Sequence, residues 1–218
     1  LSSLIADILD YSKIEAGRLE LETIDFDVDA LIRDVLALTV PAAQAKGLDL
    51  TAAIDPAVAG KLRGDFGKLR QILLNLVGNA VKFTDHGEVS LSLVRHDARI
   101  EFLVRDSGIG IPPDQVERIF KAFEQVASPG SAEHRSGTGL GLTISRELAQ
   151  AMGGDVTCQP AAGQGTEFRF TLPCRPCAAP VPAADATQEL PQLSGRVLVA
   201  EDSPVNAMIA RTMLERMG

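Results

Sequence analysis

Two pairs of adjacent alternating segments constrain the fold most. Apolar and polar residues alternate through EVSLSLVRHDARIEFLVRD (88–106), which breaks near Asp97 and Ala98, and through DVTCQP (155–160) and TEFRFTL (166–172) on either side of AAGQG. Short alternating runs separated by a few polar or small residues are typical of hairpins with one buried face. The sequence therefore predicts two antiparallel hairpins, whose apolar faces a layer of helices can cover.

Further strands and helices lie around these hairpins. Strands are predicted for TIDFDV (23–28) and LDLTAAI (48–54), and helices for DALIRDVLALTVPAAQAKG (29–47), DFGKLRQILLNLVGNAVKFT (65–84), PDQVERIFKAF (113–123) and the segment after the glycines that ends at MGG. Pro41 predicts a kink, Gly47 a helix stop and Asp65 an N-cap. The predicted fold class is α+β: a two-layer α/β sandwich with a mixed sheet covered on one face by helices.

The two ends of the chain differ from this middle part. Residues 1–22 carry a helical apolar stripe that frays near Gly17 and needs a partner helix. Prolines and alanines indicate a linker at 174–194. In residues 195–218 the sequence predicts an apolar strand, then a loop that begins with Glu201 and Asp202, then a helix. This β–α unit is too short to bury a core of its own. We expect the chain, whose first residue is Leu1, to be a piece of a larger protein.

Composition excludes some classes of partner. The net charge of −8 argues against binding to nucleic acid or an acidic membrane surface, and no apolar run approaches the roughly 18 residues of a membrane span. The pair Cys174 and Cys177 has the spacing of a redox motif or half a zinc site, but no second pair completes it. Two incidental linker thiols in a reducing cytoplasm are the favoured interpretation.

The long helix 65–84 carries an unusual polar stripe. At 100° per residue one face collects Lys68, Gln71, Asn75, Gly78, Asn79 and Lys82. An ordinary solvated face remains one interpretation. However, Asn and Gly are poor helix formers, so their repeated use on one face favours contact with a ligand.

Two glycine-rich turns complete the candidate site. In RDSGIGIP (105–112), Asp106 at a strand end can accept a hydrogen bond from an amine, and Gly108 and Gly110 let the backbone approach a flat ring. In SGTGLGL (136–142) the glycines leave a helix N-terminus bare, which suits phosphate. Each turn alone could be a plain polar loop. Together with the Asn and Lys stripe they indicate a purine nucleotide with Mg²⁺.

These segments resemble the motifs of one family. From residue 23 to 173 the chain resembles the catalytic, ATP-binding domain of sensor histidine kinases, which share a superfamily with gyrase-type topoisomerases. NLVGNAVKFT is similar to the N box, DSGIGIP to the first glycine box, IFKAFEQ to the F box, GTGLGL to the second glycine box and GQGTEFRFTLP to the closing hairpin.

The resemblance implies a role for each site residue. Asn79 and Asn75 would ligate or orient Mg²⁺ on the phosphates of ATP, and Lys82 would neutralise phosphate charge. Phe83 would lie against adenine, whose amine would donate to Asp106. The phosphates would be cradled by Gly137, Thr138, Gly139, Leu140 and Gly141. Residues 124–136 would form a mobile ATP lid, with Phe120 and Phe123 packed at its root.

The flanks resemble the same architecture, that of a hybrid kinase in two-component phosphorelay signalling. Residues 1–22 resemble the end of the dimerisation helix pair, and residues 195–218 the start of a receiver domain with Glu201 and Asp202 as its Mg²⁺-binding acids. The implied partners are a second copy, an acceptor-histidine helix, and a receiver domain or response regulator in the cytoplasm.

The phosphoacceptor itself is expected outside this sequence. His86, His96 and His134 lack the H-[ED]-x-[RK]-[TN]-P context of an acceptor helix, which we expect upstream of Leu1. No catalytic residue is therefore assigned within the chain. The alternative to a kinase domain is a nucleotide-binding or dimerisation module without kinase activity.

Overall fold

The computed structural model describes residues 2–58, 60–124, 138–161 and 165–173, with side chains from residue 8 onward. Its helices are α1 (Ser2–Glu15), α2 (Val28–Ala45), α3 (Phe66–Phe83) and α4 (Gly141–Ala151). Its strands are β1 (Ile24–Asp27), β2 (Asp49–Ile54), β3 (Lys61–Gly64), β4 (Glu88–His96), β5 (Arg99–Asp106), β6 (Asp155–Pro160) and β7 (Thr166–Pro173).

The main sheet has five strands in the order β2-β4-β5-β7-β6. Strand β2 runs parallel to β4, and the other neighbours are antiparallel, so the sheet is mixed. Both predicted hairpins are present, β4 with β5 and β6 with β7. The first turns at Asp97, whose φ is +51°, where the sequence placed the break.

One face of this sheet and the helices α2, α3 and α4 enclose the core. The sheet contributes alternate residues such as Leu91, Phe102 and Phe170, all at most 1 % exposed. The rings of Phe102 and Phe170 stack with centroids 5.4 Å apart. From the helix layer, Leu31 and Leu76 are fully buried. The predicted two-layer α+β fold is confirmed.

The opposite face of the sheet carries a charged network. The Glu167 side chain is only 4 % exposed and accepts hydrogen bonds from Arg105, from Arg169 (3.0 Å) and from Gln159 (2.6 Å). Burial alone would raise the pKa of Glu167, but these three donors hold it below its ordinary value. These bonds satisfy the polar side chains on the outer face of the sheet, so that this face does not need a second layer of helices to cover it.

Two local predictions need correction. The predicted helix over 113–123 is wrong, because this segment forms two short 3₁₀ turns, Pro113–Gln115 and Arg118–Phe120. So short a segment is marginal as an α-helix, and burial of Ile119 and Phe120 shapes it instead. Strand β1 pairs with the unpredicted β3 in a separate two-stranded sheet. Four residues in β3 are too few to show a period.

Helix α1 confirms that the N-terminal segment is helical, and the chain leaves it through Gly17 at φ +63°. Residues 1–178 form one compact unit. The predicted linker and the receiver-like segment, with Glu201 and Asp202, lie outside the described residues, so those domain boundaries stay predictions. Within the described ranges, no helix has the length and apolar character needed to cross a membrane.

Candidate functional site

Helix α3 is fixed at its N-terminus by Asp65, as the sequence predicted. Its carboxylate oxygen Oδ1 accepts a hydrogen bond from the Lys68 backbone amide at 2.9 Å, which caps the helix. The other oxygen accepts from the Glu22 amide at 2.9 Å and so ties the preceding segment to the same point. The cap fixes the start of α3, and burial of the helix's apolar face, including Ile72 and Leu76, turns the polar stripe away from the core.

The polar stripe of α3 divides into two parts. Near its start, Lys68 and Gln71 contact Asp10 of α1, with the Gln71 amide donating at 2.8 Å and the Lys68 ammonium 3.7 Å away. The first turns of the stripe therefore face a helix, which corrects the expectation that the whole stripe faces a ligand. Further along, a Cβ at Gly78 would meet no atom within 4 Å. The later part of the stripe therefore borders open space.

Asn75 and Asn79 are linked to each other and to α4. The Asn75 Nδ2 donates to the hydroxyl of Ser145 at 2.9 Å, and the Asn79 Nδ2 donates to the Asn75 Oδ1 at 3.4 Å. A Cβ at Gly141 would collide with the Asn75 amide. Asn75 is thus packed between the two helices, while Asn79 lies one turn closer to the open end. Sequence reasoning missed Ser145, because nothing local marks it.

The C-terminal end of α3 has a partner for each of its last four carbonyls. The Thr84 hydroxyl donates to Ala80 at 2.7 Å, and the Ile109 amide donates to Phe83 at 3.4 Å. Between them, the Lys46 ammonium donates to the carbonyls of Val81 and Lys82 at 3.0 and 2.7 Å. A cation at this end also opposes the helix dipole.

Lys46, at the end of α2, thereby holds in place the turn that carries Lys82 and Phe83. Sequence reasoning did not find it. Partial burial lowers the pKa of Lys82, and its ammonium lies 4.8 Å from the centre of the half-buried Phe83 ring. The structure therefore presents a cation and an aromatic ring together at the end of the stripe.

Asp106 ends β5 and is 7 % exposed. Its Oδ1 accepts hydrogen bonds from the backbone amides of Gly108 at 2.9 Å and Thr166 at 3.2 Å. Burial raises the pKa of Asp106, and these bonds, with one from the Thr166 side chain, oppose the rise. Thr166 comes from the neighbouring strand β7 and was not predicted as a site residue.

Glycines bring the backbones around Asp106 into direct contact. A Cβ at Gly108 would collide with the Phe83 carbonyl, and one at Gly165 with the Asp106 carbonyl. Gly110 has a φ of +73°, which side chains rarely adopt. The first glycine turn therefore lies in direct backbone contact with the end of α3.

The second glycine turn leads into α4. The Thr138 hydroxyl accepts from the Leu140 amide at 3.1 Å, and Gly139 has a φ of +70°. Leu140 is fully buried, and among the described residues the N-cap position of α4 makes no side-chain capping bond. Amides at an uncapped helix start can bind an anion. Gly137 lies outside the described residues.

Phe120 and Phe123 occupy different environments. Phe120 is 8 % exposed, its carbonyl accepts from the Thr143 hydroxyl at 2.9 Å, and Arg146 lies 4.8 Å above its ring. It anchors the segment before residues 125–137 to α4. Phe123 is 65 % exposed and meets the edge of Tyr11 with ring centroids 6.3 Å apart.

Metal and thiol chemistry in the described residues is limited. They contain no group of three or more His, Cys, Asp or Glu side chains placed to hold a metal ion. Cys158 is half-buried, and burial together with the charge of Asp106 raises the pKa of its thiol to about 12. Such a thiol is unreactive at neutral pH. Cys174 and Cys177 lie outside the described residues.

Comparisons with known proteins agree with this geometry. The sequence family described as "Histidine kinase-, DNA gyrase B-, and HSP90-like ATPase" matches residues 64–176. The hybrid signal transduction histidine kinase B of Dictyostelium discoideum is 39% identical over 93% of this chain, which spans 10% of that protein. Other curated relatives are also much longer, and the chain spans 34% of one of them.

Solved structures are similar as well. Full-length ShkA in complex with AMPPNP matches with a TM-score of 0.72 and 37% identity, covering 99% of this chain and 43% of that one. The histidine kinase ThkA, solved in complex with the response regulator protein TrrA, matches with a TM-score of 0.63 and 25% identity. That match covers 80% of this chain and 47% of ThkA.

Proposed function

Since the chain belongs to the histidine kinase-, DNA gyrase B- and HSP90-like ATPase family, we propose that it is the Mg·ATP-binding catalytic domain of a hybrid sensor histidine kinase. The observation that carries the proposal is the buried Asp106, held by Gly108 and Thr166 beside the end of α3. An oriented, buried acceptor next to a backbone turn is suited to a flat ring with an exocyclic amine.

Asp106 would accept a hydrogen bond from the adenine amine. The half-buried ring of Phe83 and the glycines at 108 and 110 would contact the purine. Thr166 joins this set, because its amide and side chain both bond to Asp106. Guanine presents a carbonyl at the same ring edge, so the pocket favours adenine.

The phosphates would lie between the two helices. Lys82 offers positive charge from α3, and Thr138, Gly139 and Gly141 would offer backbone amides around the start of α4. We propose that Leu140 shapes this cradle rather than donating to the phosphates, because its side chain is fully buried and its amide already donates to the Thr138 hydroxyl. We propose Gly137 as a further member of this cradle.

The residues present fit Mg²⁺. This ion prefers oxygen ligands and is commonly held by one or two protein groups together with substrate phosphates. Asn79 would supply an amide oxygen at the open end of the stripe. When bound, the ion would neutralise charge on the phosphate oxygens. We propose Glu201 and Asp202 as part of a separate receiver site.

In phosphoryl transfer this domain would mainly position the ATP and neutralise the charge of its phosphates. We propose that the acceptor histidine lies on a helix outside this sequence. His86 is exposed and followed by glycine, and the exposed His96 is the last residue of β4, 3.8 Å from Glu101. We propose that the chain pairs with a second copy of itself through the helix pair that includes α1. We also propose that it works with a response regulator, such as the one in the complex with ThkA. We propose a cytoplasmic location.

Replacing Asn79 tests the Mg²⁺ role. We expect Asn79→Ala to weaken Mg·ATP binding about 10- to 100-fold, since a lost interaction with a charged group costs roughly 1.5–3 kcal/mol. Binding of ATP in EDTA should be unchanged. Titration calorimetry with and without Mg²⁺ measures both. Gln71→Ala is the matched control, because it removes an amide from the same stripe two turns earlier, where it contacts Asp10. Equal losses in the two conditions would remove Asn79 from the metal role.

A further inference from the structure

A buried hydroxyl on α4 stands behind the two asparagines of α3. Ser145 is 2 % exposed and accepts a hydrogen bond from the Asn75 Nδ2 at 2.9 Å. The Asn75 Oδ1 in turn accepts from the Asn79 Nδ2 at 3.4 Å. These contacts form a continuous hydrogen-bonded chain from the interior of α4 to the amide proposed to bind Mg²⁺.

The direction of these bonds matters because the two ends of an amide are chemically different. An amide oxygen can bind a cation, whereas the NH₂ group only donates hydrogen bonds. Because the Asn79 NH₂ group is directed at Asn75, its oxygen remains on the other side. Were Asn75 displaced, Asn79 would lose the contact that holds its NH₂ group away from the metal.

The fit between the helices holds Asn75 in this position. A Cβ at Gly141 would collide with the Asn75 amide, so the glycine makes room for that side chain. The side chain of Asn75 is therefore bounded by a hydroxyl and by a bare backbone, both belonging to α4. Gly141 has a packing role in addition to any contact of its amide with phosphate.

We propose that Ser145 is a positioning residue for the metal, acting through Asn75 to orient the Asn79 oxygen towards Mg²⁺. The inference rests on the proposed function and deepens it. It predicts that a side chain only 2 % exposed controls the Mg²⁺-dependent part of ATP affinity. It also predicts that Asn75 acts through Asn79 rather than as an independent ligand.

The test compares ATP binding with and without Mg²⁺ by titration calorimetry. Ser145→Ala is expected to weaken Mg·ATP binding about 2- to 10-fold, the effect of one lost hydrogen bond, and to leave binding in EDTA unchanged. Ser145→Cys, which keeps the size but replaces the hydroxyl by a weak acceptor, should behave like Ser145→Ala. Ser145→Thr retains the hydroxyl and should restore affinity towards that of the unaltered chain.

Two controls separate positioning from general loss of stability. Thr39→Val removes a buried hydroxyl from α2, where it donates to the Val35 carbonyl at 2.9 Å, and should leave both affinities unchanged. In an Asn79→Ala background, Ser145→Ala should have no further effect on Mg·ATP binding, because residues acting in one chain are not additive.

The outcomes distinguish this inference from the proposed function. Failure of the unaltered chain to bind Mg·ATP would contradict the proposed function itself. If the unaltered chain binds Mg·ATP, an equal effect of Ser145→Ala with and without Mg²⁺, an effect that persists in the Asn79→Ala background, or no effect at all would overturn the role of Ser145 alone.

Discussion

Asp106→Asn is expected to weaken ATP binding about 10- to 100-fold while leaving GTP binding unchanged or stronger. The backbone amides of Gly108 and Thr166 both donate to Oδ1, so the oxygen of the new amide should stay on that side. Its NH₂ group would then meet the adenine amine, and two donors would face each other. A buried group left unsatisfied costs about 1–3 kcal/mol, which gives the expected factor.

A competition assay with ATP and GTP measures this change. The unaltered chain should prefer ATP by about 10- to 100-fold, and Asp106→Asn should abolish or invert the preference. Asp34→Asn is a suitable control, because this exposed carboxylate on α2 pairs only loosely with Arg70 at 3.7 Å. Comparable affinities of the unaltered chain for the two nucleotides would show that the adenine pocket is misplaced.

Slow ATP hydrolysis is the second large effect expected. The resemblance to topoisomerase-type ATPases places their general base, a glutamate, one helical turn before the Mg²⁺ asparagine. Asn75 occupies that position here. An amide cannot accept a proton near neutral pH, and this one is already bonded to Ser145. Losing a general base lowers the rate about 10²–10⁴-fold.

Steady-state release of phosphate by the purified chain measures the hydrolysis rate. The reference is a related ATPase that has glutamate at this position, and the chain should be slower by the factor above. Lys82→Ala identifies any contaminating activity, because it should stop only turnover at this site. Steady turnover at a comparable rate that Lys82→Ala abolishes would contradict the role assigned to position 75.

Features that depend only on residues close together in the sequence could be predicted from it. The alternation in β4 and β5, the cap at Asp65 and the glycine turns each follow from local patterns, and the structure has all of them. The pairing of β1 with β3 was not predictable, since four-residue strands carry too little periodicity. The 3₁₀ turns near Phe120 were missed because tertiary burial overrides a weak helical pattern there.

Contacts between distant parts of the chain explain the missed site residues. Lys46 bonds to carbonyls 35 and 36 residues away, Thr166 to a carboxylate 60 residues away, and Ser145 to an amide 70 residues away. Their roles arise only when α2, β7 and α4 pack against the site. For the polar stripe, the sequence predicted too large a ligand-facing surface. The regular spacing of the stripe gave no sign that Lys68 and Gln71 contact α1 instead.

Phosphotransfer from γ-labelled ATP tests whether the chain is a kinase domain. The chain is incubated with Mg²⁺ and labelled ATP, alone or with a separate dimer of the acceptor-histidine helix of the proposed hybrid kinase. An acceptor imidazole must be neutral, aligned with the γ-phosphorus and assisted by a neighbouring base. Among the described histidines only His96 precedes an acidic residue, Asp97, and that pair lies in a tight turn.

We expect the chain alone to stay unlabelled and the added acceptor helix to gain acid-labile label. The Asn79→Ala variant should lose most of this transfer, whereas Gln71→Ala, assayed under the same conditions, should retain it. Acid-labile label on the chain alone that His96→Gln removes would contradict an external acceptor. Binding of Mg·ATP without any transfer to the acceptor helix would contradict the kinase assignment and leave a nucleotide-binding module.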